Sequence, residues 1–367
     1  MLMMVRHEER ITTLQTAVLI TNFLLGTGIL TLPRTSVDAV GTPDVWITLV
    51  LAGLVALTAA VIMVKLNHQY PDKSFYEYSQ DIIGKWTGSL ISLFFVCYLL
   101  AHSGFQVRST LEIIRFFYWK EPPAGQLRWF FVGGLILDRR RLKRDRPLVS
   151  NCFSYHSHSF LLVALMSIGI FDVDNLRPVL GEGIGPVLKG IKVTALSFSG
   201  IEIILILMPF MNQPRKAIHT IMIGIAIPLL FYMITVVMVI GALSIDGVVS
   251  RTWPTIDLMR SFEIPGLIFE RFESLLLVIW IMQLFCTFVI SFYGAALGLA
   301  QLFKTNIRPM MFALLPVIYL IAMIPKNINA MFAFGDFIGN SGVYLGGLTP
   351  LVLLVISKIR RRKQGIS

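Results

Sequence analysis

Charged residues are scarce in this sequence. They make up 14% of its 367 residues, whereas a soluble domain would carry about 25%. Hydrophobic residues make up 55%, and the mean hydropathy is +0.74. This composition excludes a large soluble domain and predicts a single integral membrane domain over residues 1–367.

Cysteines and catalytic motifs are scarce as well. The three cysteines, Cys97, Cys152 and Cys286, have neither paired nor metal-like spacing, so we expect no disulfide framework and no metal site. No nucleophile and base stand in a recognisable catalytic pattern, so we expect neither an enzyme nor a bound cofactor. The net charge of +11 does not indicate nucleic-acid binding, because its distribution along the chain describes membrane topology.

Apolar stretches fill most of the chain. A membrane helix needs roughly 20 apolar residues, and ten stretches are candidates for such spans. They are residues 12–32, 44–66, 88–107, 127–137, 160–171, 191–211, 218–243, 274–303, 309–324 and 337–357. The fourth and fifth are too short to cross. Most lysines and arginines lie on the side that both termini share, so the positive-inside rule predicts cytoplasmic termini.

Two polar segments next to these stretches point to the membrane surface. Residues 71–78 predict an interfacial helix that Ser74 caps, with its aromatic side chains toward the lipid headgroups. The basic tail after residue 357 predicts an anchor on the membrane surface.

The polar tract 137–159 interrupts the hydrophobic pattern. One interpretation is a basic cytoplasmic loop, which fits the sign of its charge. A second interpretation comes from the genetic code. When back-translated and shifted by one base, residues 137–148 and 151–160 can both be read as apolar segments that continue their neighbours. We therefore hypothesise two compensating frameshifts in this tract.

The first stretch contains Gly26, Thr27 and Gly28 at membrane depth. Glycines weaken a helix, and a broken membrane helix is tolerated only where it faces protein or a cavity. The exposed ends of such half-helices can hold a charged solute. This segment therefore predicts one wall of a small-molecule site, and the alternative is close helix packing through small residues.

The sixth stretch repeats this theme with Ser199, Gly200 and Glu202. A carboxylate at this depth is costly and indicates a role in ligand binding, proton coupling or gating. The alternative is a buried partner for a polar group of the first stretch, such as Asn22. The two interrupted stretches are the first and the sixth of the ten. This separation by five spans predicts a five-plus-five inverted repeat with its site at the repeat interface.

Two further stretches carry polar faces. Tyr98, His102 and Gln106 are spaced by four residues in the third stretch, and so are Gln283, Thr287 and Ser291 in the eighth. Residues at this spacing share one face of a helix. Each face contacts either a ligand or only a neighbouring helix, and the spacing alone leaves both open.

Several motifs together resemble the spore germination permease family, the B subunits of nutrient germinant receptors. They are G-T-G-I-L-T-L-P-R at 26–34, F-D-V-D-N-L-R-P-V-L-G-E-G-I-G-P at 171–186, F-S-G-I-E at 198–202, W-P-T-I at 253–256 and F-E-R-F-E-S at 269–274. The resemblance runs from about Ile11 to the C-terminus, with a gap at 137–159. The first motif is shared loosely with the amino acid–polyamine–organocation superfamily, whereas the second and last are specific to the germination branch.

This resemblance implies an all-α membrane protein of about ten transmembrane helices with the LeuT-like, amino-acid-permease-like fold, in which helices 1 and 6 are broken. It also implies a location in the spore inner membrane, an A subunit and a C-subunit lipoprotein as partners, and a small nutrient such as an amino acid as ligand. The nutrient-binding residues carried over by position are Gly26, Thr27, Gly28, Tyr98, Ser199, Gly200 and Thr287.

Three functions remain open on the sequence. The first is a receptor subunit that binds a nutrient and triggers germination. The second is a transporter that couples amino-acid entry to protons through Glu202. The third is a structural subunit that scaffolds its partners.

Overall fold

The computed structural model describes residues 10–26, 28–71, 73–118, 146–261 and 272–363. Helices dominate these residues, and the β-type pairing among them is a single bridge between Ile11 and Met211. The α-helices are α1 (Thr13–Leu25), α2 (Gly28–Val40), α3 (Val45–Asn67), α4 (Phe75–Ile83), α5 (Lys85–Tyr118), α6 (Arg146–Ser167), α7 (Gly185–Leu196), α8 (Ile204–Leu207), α9 (Ala217–Ser250), α10 (Pro254–Arg260), α11 (Phe272–Leu302), α12 (Ile307–Met323), α13 (Ile328–Val343) and α14 (Thr349–Lys363).

The described residues contain six helices that are long and apolar enough to cross a membrane, and eight if each bent pair counts as one span. One bent pair is α1 with α2, at 51°, and the other joins Gly185–Leu196 to Ile201–Phe210, at 44°. Helix α12 is a shorter apolar helix. The predicted breaks in the first and sixth spans therefore coincide with the two bends. The predicted fourth span, 127–137, lies outside the described residues.

The fifth span is longer than its sequence pattern predicts. A candidate span covers Phe153–Ile170, so the expectation that this span begins at residue 160 and is too short was wrong. The polar side chains that interrupt the pattern bond to their own helix: Ser157 Oγ donates to the Phe153 carbonyl at 2.8 Å, and Ser159 Oγ donates to that of Tyr155 at 2.7 Å. Such bonds satisfy hydroxyl groups within an apolar helix. Residues 137–145 of the anomalous tract lie outside the described part.

The two broken spans lie together at the centre of the bundle. Helix α1 packs against α9, α11 and α6, while α2 packs against α7 and α9. The strand-like bridge joins the start of the first span to the end of the sixth, because Asn212 N–H donates to the Ile11 carbonyl at 2.8 Å. These contacts position the two breaks next to each other.

Helix α4 differs from its predicted environment. Ser74 caps it in a capping box with Glu77, as its sequence indicates. However, Phe75, Tyr76 and Tyr78 are fully buried in protein rather than turned toward headgroups. The reason is that the long helices α5 and α11 pack against α4 and offer partners, such as the Gly294 carbonyl that accepts from the Tyr76 hydroxyl at 2.9 Å.

Candidate functional site

The end of α1 presents backbone carbonyls that have no partner within the helix. An α-helix leaves its last four carbonyls without intrahelical donors. Here Gln283 Nε2 donates to the Asn22 carbonyl at 2.8 Å, and Thr287 Oγ1 donates to the same oxygen at 3.1 Å. The polar face predicted on the eighth span therefore makes bonds between helices, and it makes them at the first break.

Gly26 lies at this break as the residue after α1. A methyl group added there would lie 3.1 Å from Thr287 Oγ1 and 3.3 Å from Gln106 Nε2. Side chains of the third and eighth spans therefore approach the backbone of the first span closely. Thr27, which we predicted as a ligand-binding residue, lies outside the described residues.

The second break is built around Gly200 and Glu202. Gly200 has φ +119°, a backbone conformation that favours glycine. Its N–H donates to Glu202 Oε2 at 2.9 Å, and the Tyr98 hydroxyl donates to Glu202 Oε1. The same hydroxyl lies 3.3 Å from Ser199 Oγ. The Glu202 carboxyl group thus accepts hydrogen bonds from Tyr98 and Gly200. The alternative interpretation of the sequence had expected its partner to be a polar group of the first span, such as Asn22.

Glycines of the last span pack against this second break. A methyl group on Gly346 would lie 3.1 Å from Glu202 Cβ, and one on Gly342 would overlap Ser199 Oγ. Tyr344–Leu348 forms a π-helical turn at this point, and such turns are frequent at functional sites. Gly342 and Gly346 thus let the last span approach Ser199 and the Glu202 carboxyl group closely.

The predicted site residues form two neighbouring groups. Gly26 and Thr287 lie at the first break, whereas Tyr98, Ser199, Gly200 and Glu202 surround the second. Phe23 and His102 lie between them. Their rings stack with centroids 4.8 Å apart, and the His102 ring is 6.1 Å from that of Tyr98.

Three buried polar atoms near Phe23 and Gly26 lack hydrogen-bond partners among the described residues: His102 Nδ1, Gln106 Oε1 and Gln283 Oε1. Gln106 is 1% exposed and Gln283 is fully buried. A buried polar group without a partner costs about 1–3 kcal/mol. A small solute with N–H or O–H groups would satisfy such atoms, so this part of the bundle suits a polar ligand.

Sequence reasoning missed Tyr232, which joins the two breaks. Its hydroxyl lies 2.5 Å from the Leu24 carbonyl of α1 and 3.2 Å from the Ser197 carbonyl after α7. A methyl group on Gly28 would lie 2.6 Å from the same hydroxyl. One signal was available: Tyr232 is the only tyrosine in the largely apolar stretch 218–243.

Comparison with known sequences identifies relatives over nearly the whole chain. A family model described as spore germination protein matches residues 10–331. Spore germination protein YndE of Bacillus subtilis (strain 168) is 50% identical over 355 residues, which cover 96% of this chain and 98% of that protein. Spore germination protein A2 of the same organism is 35% identical, with 96% and 97% of the two chains covered.

Comparison with solved structures identifies transporters. The chain is similar to Mhp1, a nucleobase-cation-symport-1 family transporter in a closed conformation with bromovinylhydantoin bound, with a TM-score of 0.66, 12% identity and coverage of 98% and 80%. It is also similar to a Na⁺-coupled sialic acid symporter in a substrate-bound outward-open state, with a TM-score of 0.66, 12% identity and coverage of 94% and 79%. The predicted LeuT-like, all-α multi-pass membrane fold is thereby confirmed. This fold and the matched family are not an enzyme class.

Proposed function

The chain belongs to the spore germination protein family, and we propose that it is a germinant-receptor subunit that binds a small nutrient and triggers germination. The observation that carries the proposal is the set of buried polar atoms without partners beside the first helix break. Gln106 Oε1 and Gln283 Oε1 are acceptors in that set. A nutrient with an ammonium group, such as an amino acid, provides the donors that they need.

The helix breaks supply the complementary groups. The first N–H groups of α2, from Gly28 onward, have no intrahelical acceptor and favour a carboxylate, while the carbonyls that end α1 favour an ammonium. Gly26, Gly28 and Gly200 have no side chain and keep the backbone accessible at the two breaks, and Thr27 is proposed as a nutrient-binding residue from its position in the sequence. Tyr98, Ser199 and Thr287 are the side chains that limit the size of the nutrient.

Binding would act through a change of conformational population. A ligand shifts an equilibrium only as far as its affinities for the two states differ. Because the two breaks contact each other, a nutrient held by both would favour one arrangement of the broken spans. We propose that an A subunit and a C-subunit lipoprotein in the spore inner membrane respond to this change, and that both termini are cytoplasmic.

The test is germination of spores that carry Gly26→Trp, measured against a panel of the amino acids and glucose. A side chain at Gly26 must displace Thr287 and Gln106, so we expect the response to one nutrient to be lost while the levels of all receptor subunits stay normal by immunoblot. Gly169→Trp is the control, because a methyl group at Gly169 meets no atom within 4 Å. An unchanged response of the Gly26→Trp spores would contradict the proposed site.

A second candidate function is a transporter that couples amino-acid entry to protons. The observation that favours it is Glu202, which is 1% exposed and lies at the second break. In vesicles that contain the purified protein, a transporter accumulates labelled amino acid when a pH gradient is imposed, and Glu202→Gln abolishes this uptake. A receptor subunit binds the amino acid without accumulation.

A further inference from the structure

We propose that Tyr232 is a positioning residue: its hydroxyl holds the two helix breaks together and competes with the ammonium group of the nutrient for their carbonyls. The proposal rests on the proposed nutrient-binding function. It concerns a residue of the seventh span that none of the sequence motifs includes.

The Tyr232 hydroxyl lies between one backbone carbonyl of each broken span. The Leu24 carbonyl belongs to the last turn of α1, and the Ser197 carbonyl follows directly after α7. In a continuous helix these oxygens would accept from the N–H groups of residues 28 and 201, but the breaks redirect the chain. Tyr232 Oη lies 2.5 Å from the first oxygen and 3.2 Å from the second.

The Tyr232 hydroxyl has too few donors for the two carbonyls that it faces. A tyrosine hydroxyl carries one proton, whereas two carbonyl oxygens converge on it. Both oxygens lie at the C-terminal ends of half-helices, where the peptide dipoles favour a positive charge. An ammonium group has three donors and a full charge, so it satisfies this pair of oxygens better than the hydroxyl does.

The Tyr232 hydroxyl and a ligand group exclude each other from the same space. Tyr232 is fully buried, and its ring packs edge-on against Phe198 with centroids 5.5 Å apart. Since Gly28 also approaches the hydroxyl closely, the space between the two carbonyls holds either the hydroxyl or a ligand group. Binding of a primary amine at these oxygens therefore requires the hydroxyl to leave and releases the connection between the breaks.

The test is the nutrient dose–response of spores that carry Tyr232→Phe, which removes the hydroxyl and keeps the ring. Without the competing group we expect the half-maximal concentration of an activating amino acid to fall about 3- to 10-fold, the effect of one hydrogen bond, while the maximal germination rate is retained. The control is Tyr76→Phe, which removes another buried hydroxyl that donates to a backbone carbonyl, the Gly294 oxygen at 2.9 Å, and not to either carbonyl that Tyr232 faces. The control should leave the half-maximal concentration unchanged.

The outcomes separate this inference from the function on which it rests. If spores with the native protein respond and Tyr232→Phe gives the same or a higher half-maximal concentration, the competition is overturned while the receptor function stands. If spores with the native protein show no response that depends on this protein to any amino acid or to glucose, both are overturned. Should Tyr232→Phe fail to accumulate, the dose–response is measured on Tyr232→Leu, which also lacks the hydroxyl but loses the ring contact with Phe198. If neither Tyr232→Phe nor Tyr232→Leu accumulates while Tyr76→Phe is present at normal levels, Tyr232 is a residue required for folding and the proposal is overturned.

Discussion

Single glycines determine how closely the polar groups of the site approach the two breaks. A methyl group on Gly26 would lie 3.1 Å from Thr287 Oγ1, and one on Gly200 would lie 2.8 Å from Phe23 Cδ1. Both distances are shorter than an ordinary contact between non-bonded heavy atoms. At these positions the missing side chain leaves room for the facing residue.

At Gly200 the backbone conformation and the neighbouring ring both oppose a side chain. We expect Gly200→Ala to destabilise the protein by about 1–3 kcal/mol more than Gly183→Ala does. Gly183 also has a positive φ, +77°, but a methyl group there meets no atom within 4 Å, so the difference measures the clash with Phe23 together with the less favourable φ of Gly200. Thermal unfolding of the purified proteins in detergent measures the difference, and equal midpoints would contradict the prediction.

Tyr98 gives a second prediction for a single residue. Its hydroxyl donates to Glu202 and lies near Ser199, so Tyr98→Phe removes a donor from the carboxyl group at the second break. We expect the half-maximal nutrient concentration for germination to rise about 10-fold or more, because a hydrogen bond to a charged group contributes about 1.5–3 kcal/mol. Tyr78→Phe is the matched control, because the buried Tyr78 hydroxyl has no hydrogen-bond partner among the described residues. A similar change in both variants would exclude a specific role for Tyr98.

Two helices distant in sequence, α4 and α14, are connected at the end of the bundle away from the breaks. Arg360 Nη1 donates to the carbonyls of Asp81 at 2.8 Å and Ile82 at 2.6 Å. These oxygens belong to the last turn of α4 and lack intrahelical donors. The guanidinium of Arg361 lies 5.3 Å from the centre of the Tyr70 ring. Two arginines of the predicted membrane anchor thus bind protein.

Loss of this connection should loosen α4. In Arg360→Ala we expect faster hydrogen exchange of the backbone amides in Phe75–Ile83, because two carbonyls at the end of that helix lose their donor. Lys358→Ala removes the same charge from an exposed position of α14 and serves as the control. Exchange in α4 that is unchanged by Arg360→Ala would show that the arginine does not hold the helix.

Helix α6 shows how a polar sequence is accommodated in a span. His156 is 2% exposed and packs against the rings of Phe231 and Trp280, at centroid distances of 6.1 and 5.6 Å. A helix therefore exists within part of the tract that we interpret as frameshifted. The frameshift hypothesis makes a separate prediction: the DNA for residues 137–159 contains a long apolar reading in another frame. The absence of such a reading from all three frames would refute it.

For the whole molecule, the prediction concerns orientation. If both termini are cytoplasmic, a reporter that is active only in the cytoplasm should be active when fused after Ser367. The same reporter inserted between Asp172 and Pro186 should be inactive, because this segment follows the fifth span and lies on the opposite side. Activity at the second position and not at the first would reverse the orientation. The physical reason for the prediction is the bias of lysine and arginine toward one set of connecting segments.

Much of this architecture could be predicted because it depends on local chemistry. Apolar stretches identify spans wherever they occur, and glycines within them indicate where a membrane helix is interrupted. The breaks near Gly26 and Gly200 followed from these rules. The environment of α4 did not, because residues 71–78 have the same composition whether their aromatic side chains face headgroups or other helices.

The sequence by itself therefore determined the membrane class and the positions of the interrupted spans, through local hydrophobicity and backbone preference, and the residues of the candidate site stay a prediction. The tertiary structure alone decided which polar groups meet. Tyr232 reaches carbonyls that precede it by 208 and 35 residues, and Gly346 faces a carboxyl group of another span. Such contacts depend on the rotation and depth of each helix in the bundle. The packing of all spans together sets these two quantities, and no single stretch of sequence specifies them.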